Sequence, residues 1–342
     1  MTTASEFKAE LEAKVAQQLK SQRVGYLLGA GSSNLNNDGY PLAFQLWDKI
    51  KNSITDVAKR KDIQDKLDGG ASGIEHALDL LDDGGATDTP YRYLVTNAIA
   101  NLFMPMSPPL ELHVEFVRRI ARRAEPLTKL FSLNYDPLVE RAAAKVKVRL
   151  ADGFHGADQS YFDPAVFEER VFRIRGSHRG RQSDETVKPI QLIKLHGSLG
   201  WYECATNGVC RCSFGMEPPI ATRRLMIPPQ RRKAADTTVP PYSALWSIFR
   251  GSLCHNAAPI NRLVCMGYGF ADEHVNTIIE SALARTDFTL LIFTKALTDL
   301  VWNRWSVKTN TIVVTENRCA FKGNIGAGHA DLWSFERLAK EI

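Results

Sequence analysis

The sequence predicts an α/β fold, a parallel sheet with helices on both faces and a helical insertion subdomain. Three observations carry this. Short, branched, apolar segments recur along the chain, as in strands buried on both faces. Helical periodicity falls between several of them. The first two such segments lie about a hundred residues apart, far more than a simple crossover needs.

Taken in order, a helix comes first. Thr3 with Glu6 forms a capping box, and Phe7, Leu11, Val15 and Leu19 recur every four residues. That stripe is expected to cover the body of the domain, with an oligomer or partner contact as the other reading. Strands are predicted over 24–29, 129–133, 191–195, 263–267, 288–294 and 311–315. Helices over 42–57, 74–81, 91–103 and 110–121 fill the long gap, so residues 42–127 read as a helical insertion. Asp272 reads as an N-cap, with Val275, Ile278, Ile279 and Ala282 on one helical face. Regions 151–190 and 200–250 are rich in Gly, Pro, Ser and Arg, show no periodicity and read as irregular basic insertions.

Composition narrows the function classes. The 342 residues carry 43 Lys+Arg against 38 Asp+Glu, and 44% are hydrophobic, which excludes a mainly disordered chain. Six cysteines are too dilute for a disulfide scaffold and suit a reducing compartment. The first 22 residues lack an apolar signal core, and the apolar runs are strand-sized. A cytoplasmic protein without membrane association is expected. Charge is uneven: residues 165–260 hold 14 basic and 7 acidic side chains. Arg170, Arg173, Arg175, Arg179 and Arg181 form one cluster; Arg223, Arg224, Arg231, Arg232 and Lys233 form another. They read as a solvated face, a subunit contact or a nucleic-acid contact.

Five motifs sit at predicted strand ends or turns. Gly29-Ala30-Gly31-Ser32-Ser33 follows the first strand, where glycines let backbone N–H groups approach a phosphate. A tight turn without ligand is the other reading. Asn34 occupies the third glycine position of the dinucleotide fingerprint, and Asp48 lies in a helical pattern, so a hydride-transfer dehydrogenase is disfavoured. Asn134-Tyr135-Asp136 ends the second strand; helix capping before Pro137 accounts for Asp136 but not for Asn134. His196 ends the third strand, before Gly197. Its imidazole suits a general base or a structural role. Gly267-Tyr268-Gly269-Phe270-Ala271-Asp272 is a second Gly-rich turn, suited to an anion or a ribose. Gly326-Ala327-Gly328-His329 is the fifth.

In this order the motifs resemble the sirtuin family. They are most similar to its branch without a zinc ribbon, the sirtuin-like NAD+ hydrolases of bacterial anti-phage defence. The resemblance covers roughly residues 20–340. It implies a single Rossmann-like NAD-binding domain spanning 1–342, which cleaves the nicotinamide–ribose bond. It implies that Gly29, Ala30, Gly31, Ser32 and Ser33 cradle the pyrophosphate. Asn134 and Asp136 line the nicotinamide-ribose pocket, His196 is the general base, and Gly267, Tyr268 and Gly269 meet the adenosine-side ribose. The catalytic pair is thus Asn134 and His196.

One departure separates branches. Zinc-ribbon deacylases carry two Cys-x-x-Cys pairs, whereas Cys204, Cys210, Cys212 and Cys254 contain none. No metal is expected, and water is favoured over an acyl-lysine peptide as acceptor. The expected activity is NAD+ hydrolysis to nicotinamide and ADP-ribose, as an NAD-depleting effector. A protein deacylase and a non-catalytic nucleotide sensor or nucleic-acid-binding module are the alternatives. A lethal activity needs control, so a homo-oligomer and a separate regulatory partner, such as a HerA-type ATPase, are expected.

Overall fold

The computed structural model describes residues 4–81, 90–123, 127–156, 160–169, 171–178, 181–187, 189–205, 208–216, 223–227, 238–255 and 257–342. Thr3, and with it the predicted capping box, lies outside them. The chain opens with α1 (Ala4–Leu19), β1 (Val24–Leu28) and the single turn α2 (Ala30–Asn34). Five helices follow: α3 (Ala43–Ile50), α4 (Val57–Asp68), α5 (Ile74–Leu81), α6 (Pro90–Phe103) and α7 (Glu111–Ala121). Then come β2 (Thr128–Ser132), α8 (Leu138–Val146), β3 (Leu150–Ala151), β4 (Phe154–His155) and β5 (Ser160–Phe162). The hairpin β6 (Val171–His178) and β7 (Arg181–Val187) precedes β8 (Ile190–Lys194), β9 (Gly197–Cys204), β10 (Gly208–Arg211) and β11 (Arg223–Met226). The C-terminal part runs α9 (Tyr242–Leu253), β12 (Arg262–Met266), α10 (Glu273–Leu283), β13 (Thr289–Phe293), α11 (Asp299–Ser306) and β14 (Thr311–Val314). It ends with β15 (Arg318–Phe321), β16 (Asn324–Ala327) and α12 (Phe335–Glu341).

Nine strands form the central sheet, in the order β16-β15-β14-β13-β12-β1-β2-β8-β3. From β14 to β3 the pairs are parallel; β15 and β16 add an antiparallel edge. Every residue of β1 and β8 is buried, and β1 reads as an unbroken apolar run. Side chains alternate between two cores. Leu27, Phe131, Ile193 and Leu263 face α9, α10 and α11 through Phe249, Ile279 and Trp305. Tyr26, Leu28, Leu130 and Val264 face α1, α7, α8 and α12 through Leu11, Val117, Ala142 and Leu338. The predicted parallel sheet with helices on both faces is the observed architecture.

Helices α3–α6 pack a third core of their own, including Ile50, Ile63, Leu78 and Ile99. It reaches the sheet through Tyr135 and Leu138. Helix α7 instead belongs to the α1-side core, so the separately packed helices end with α6. The helix predicted over 42–57 stops at Ile50, and α4 restarts behind the Asp56 cap. Helix α4 buries only Ile63, so it left no apolar stripe to read.

Regions 151–190 and 200–250 correct the reading of irregular chain. They carry the five-stranded antiparallel sheet β11-β9-β10-β5-β4, the β6–β7 hairpin and helix α9. Most of those strands have two to four residues, too few to establish alternation. Among the described residues no helix is long and apolar enough to cross a membrane.

Strand order positions the site. From β1 the chain moves outward to β2 and β8, then returns to the other side of β1 with β12, β13 and β14. The reversal opens a crevice at the carboxyl ends of β1 and β12, where open α/β sheets bind ligands.

One buried group makes the fold acid-sensitive. His113 on α7 is 1% exposed, packs on Phe335 at 4.8 Å, and its Nδ1 has no hydrogen-bond partner. Burial lowers its pKa from 6.5 to about 3. The unfolded chain therefore binds one more proton between those values, and stability falls as pH drops below 6.5. At pH 5 the loss from this residue is about 2 kcal/mol. His113→Phe is expected to flatten the dependence of the urea midpoint on pH between 7 and 5; an unchanged slope would sink the assignment.

Candidate functional site

A cavity of 990 Å³ opens above this crevice. The loops after β1, β2, β8, β12 and β13 form its floor and walls, and residues 34–46 together with Glu75 and Phe103 close it from the helical side.

The floor is backbone. Gly29 N–H donates to Met266 O at 2.9 Å, and Gly31 N–H to Gly267 O at 2.8 Å. A Cβ on Gly31 would lie 2.8 Å from Gly267 Cα; one on Gly267, whose φ is +65°, would lie 2.3 Å from Ser32 N. The two Gly-rich turns thus require glycine to pack on each other. A side chain at position 31 would meet the opposing turn first. Gly269 is different: a Cβ there meets nothing within 4 Å, and the residue lines the cavity.

Asn134, at the end of β2, clamps the first turn. Its amide nitrogen donates to Gly29 O at 3.0 Å, Ser33 Oγ at 2.8 Å and Ser32 Oγ at 3.3 Å. A backbone carbonyl only accepts, so the nitrogen is the atom that faces Gly29. The amide oxygen is left for the cavity that Asn134 lines. Ser32 is fully buried and donates to Gly29 O at 2.8 Å, beneath the floor; Ala30 and Ser33 are on the wall.

Asp136 lines the same cavity while its Oδ1 accepts from Leu138 N–H at 3.1 Å, so capping and cavity position coexist. Lys194 holds this corner. It is 2% exposed and donates to Asp136 O at 2.7 Å, Glu140 Oε1 at 2.9 Å and Ser198 Oγ at 2.9 Å. Tyr135 turns the other way, its hydroxyl donating to Ile227 O. Burial first, and then the nearby Glu75, push its phenol pKa up.

His196 and Asp272 meet across the cavity wall. His196 Nε2 lies 2.9 Å from Asp272 Oδ2, and both side chains are buried. Asp272 Oδ1 accepts from His274 N–H at 3.0 Å and Val275 N–H at 3.4 Å, capping α10. One carboxylate thus fixes both a helix start and an imidazole. An ionised carboxylate only accepts, which assigns the Nε2 proton to His196 and leaves Nδ1 as its acceptor nitrogen. Tyr268, also on the wall, donates to Asp272 O at 3.1 Å.

The structure therefore gathers Gly29, Ala30, Gly31, Ser33, Asn134, Asp136, His196, Gly267, Tyr268 and Gly269 around one cavity, with Ser32 just below it. Sequence reading missed Asp272 as a partner of His196, although it closes the Gly267–Asp272 motif. It also missed Tyr40, Lys295 and Trp333 on the wall. Lys295 directly follows a predicted strand, and that position was its signal.

Other motifs resolve elsewhere. Asp48 pairs with Lys51 at 2.6 Å on α3. The Gly326 motif docks α1: a Cβ on Gly326 would strike the Phe7 ring at 2.3 Å, and His329 Nε2 lies 2.7 Å from Glu12 Oε1. Arg223 pairs with Glu203 at 2.5 Å, and Arg224 donates to Leu199 O at 3.3 Å. Arg173, Arg175 and Arg181 lie on the β6–β7 hairpin. Arg170, Arg179, Arg231, Arg232 and Lys233 lie outside the described residues. Cys204 and Cys210 sit on the paired strands β9 and β10, opposite Gly208 and Tyr202. Among the described residues no three His, Cys, Asp or Glu side chains are grouped to hold a metal ion.

No curated protein matches the chain. Two solved structures are similar to it, both of mutant Sir2 homologues. One, a complex with 2′-O-acetyl ADP ribose, is 15% identical with a TM-score of 0.44, covering 96% of this chain and 93% of that one. The other, an ADP ribose complex, is 14% identical with a TM-score of 0.44, covering 96% and 95%. The family described as the SIR2-like domain matches residues 128–299. That segment is half of the chain and runs from β2 through β13, carrying Asn134, His196 and the Gly267–Asp272 turn; the chain belongs to the SIR2-like domain family.

Proposed function

We propose that this protein is an NAD+ glycohydrolase, releasing nicotinamide and ADP-ribose, and that it serves as an NAD-depleting effector in anti-phage defence. The observation that carries the reading is the convergence of Asn134 and the His196–Asp272 pair on one cavity at the sheet's switch point. Membership of the SIR2-like domain family supports it.

The chain's own residues suit this chemistry. A dinucleotide laid across the strand ends sets its diphosphate over the Gly29–Ser33 turn at the cavity floor. Its nicotinamide ribose then falls on the β2 and β8 side. Loss of nicotinamide leaves positive charge on the ribose. The carboxylates of Glu75, Asp136 and Asp272 line the same cavity and favour that charge. The Asn134 amide oxygen orients a ribose hydroxyl or water without adding charge. His196 takes the proton from the incoming hydroxyl on Nδ1, and Asp272 holds the ring against the charge it gains.

The partner expectations stand within the same proposal. An activity that drains NAD+ is harmful at rest, so assembly into a homo-oligomer, and a separate regulatory protein such as a HerA-type ATPase, would gate it.

Incubating the purified chain with NAD+, alone and with its neighbouring-gene product, and identifying the products tests the reading. Nicotinamide and ADP-ribose are expected; O-acyl-ADP-ribose formed only with acylated peptide would favour a deacylase. Asn134→Ala and His196→Ala should each lower turnover by about 10²–10⁴-fold while the circular dichroism spectrum is unchanged. Asp272→Asn keeps a capping oxygen, so the melting temperature should hold while kcat falls; equal activity would remove Asp272 from the mechanism. The glycines give a paired test. Gly269→Val should abolish ADP-ribose binding in calorimetry with little loss of stability, because its side chain enters open cavity. Gly31→Val should instead destabilise the fold by about 1–3 kcal/mol.

A further inference from the structure

The cavity has an end that hydrolysis does not use. Three strands of the central sheet lie in the order β13-β12-β1. The end of β13 is therefore about 10 Å from the Gly29–Ser33 turn, on the side away from Asn134 and His196. There Thr294, Lys295 and Ala296 line the cavity beside Trp333. Lys295 is the one lysine or arginine among the described lining residues, against the carboxylates of Glu75, Asp136 and Asp272. Its side chain is exposed and makes no ion pair with any described residue. Its ammonium lies 6.0 Å from the centre of the Trp333 ring. Its backbone is fixed, with Lys295 O accepting from Glu316 N–H at 3.1 Å.

This end lacks the group that a plain dinucleotide site supplies. Dinucleotide sites commonly bind the adenosine ribose hydroxyls through a carboxylate, and accommodate a phosphate there through a cation. The turn after β12 offers Gly267, Tyr268 and Gly269, and the turn after β13 offers Lys295. Asp272 is committed to His196 and to the α10 cap. A carboxylate facing the adenosine ribose is thus absent among the described residues of both turns, and an unpaired cation stands in its place. Resting on the reading of the cavity as a dinucleotide site, we infer that Lys295 selects a dinucleotide carrying a phosphate monoester on its adenosine ribose. Trp333 supplies an aromatic face to the base beside it. A phosphate at Lys295 forms a charge-assisted hydrogen bond that a ribose hydroxyl does not match.

Products rather than substrates make the cleaner probes, because they bind without turnover or activation. Calorimetric titration of the full chain with ADP-ribose and with 2′-phospho-ADP-ribose at low salt should show the phosphorylated ligand binding about tenfold tighter. Lys295→Ala should bring the two within about twofold, and Lys295→Glu should reverse the order. Trp333→Ala should weaken both alike. Lys295 is exposed, so these lysine variants keep the fold. Equal affinities in the unmodified chain, or an equal loss of both ligands in Lys295→Ala, would overturn the selectivity while leaving the dinucleotide site standing. Failure of both ligands to bind the unmodified chain would overturn the site itself and the selectivity with it.

Discussion

The contact on which the rest of this structure depends is backbone against backbone, at Gly31 and Gly267. The amide of Gly31 donates to the Gly267 carbonyl at 2.8 Å, with room for a Cβ on neither residue. That contact brings the ends of β1 and β12 together where strand order reverses. Any side chain there would lift one turn off the other and open the crevice floor. Because the floor is main chain, the chemistry-bearing groups stand around it rather than in it. Asn134 reaches in from β2 and His196 from β8, while Asp272 enters from the far side of the β12 turn.

Those groups are held by satisfied polar networks. Buried lysines are uncommon because desolvation disfavours their charge. Lys194 is tolerated because carbonyls, a hydroxyl and Glu140 surround it. Asn134 uses its nitrogen structurally and keeps its oxygen free. Asp272 divides its two oxygens between α10 and His196. The wall opposite is built differently. Leu35, Asn36 and Asn37 take φ of 50°, 58° and 80°, the left-handed region that costs L-residues about 1–2 kcal/mol each. Asn tolerates this through its own polar contacts, and the Asn34 side chain accepts from Asn37 N–H at 3.1 Å. Three of the seven described non-glycine residues with positive φ thus fall in this one segment beside the cavity.

Legibility in the sequence followed burial. Six of the seven parallel strands were readable because they are buried on both faces, and a mainly apolar composition survives small boundary errors. Helix α4 was not, since a single buried isoleucine makes no stripe. The small antiparallel sheet hid for the same reason: strands such as Phe154–His155 hold too few residues to alternate. At the site, each wall segment announced itself at a strand end, but the bonds between them did not. His196 and Asp272 are 76 positions apart, and no local pattern joins them. Asp272 carried a sufficient explanation as a cap, which concealed its second role. The glycines of the first motif were legible as glycines, yet their reason was the opposing turn and not the open space above.

Charge shows why chain totals say little about a site. The protein is net +5, yet the described residues of its cavity wall carry three carboxylates and one lysine. Part of the basic excess is spent within the fold, as Arg223 on Glu203 and Arg211 on Asp152 show. What matters to a ligand is where the few lining charges stand. Asp136 follows β2, and Asp272 pairs with His196 behind β8, so acidic charge concentrates at that end. Lys295 stands at the β13 end. A cavity polarised this way favours a ligand that is cationic at one end and anionic at the other. It orients such a ligand before any hydrogen bond forms, because the reversed pose sets like charge against like at both ends. The fold supplies that polarity through strand order alone: β13 and β8 are on opposite sides of β1, and the segment after each reaches the same cavity, through Lys295 and His196.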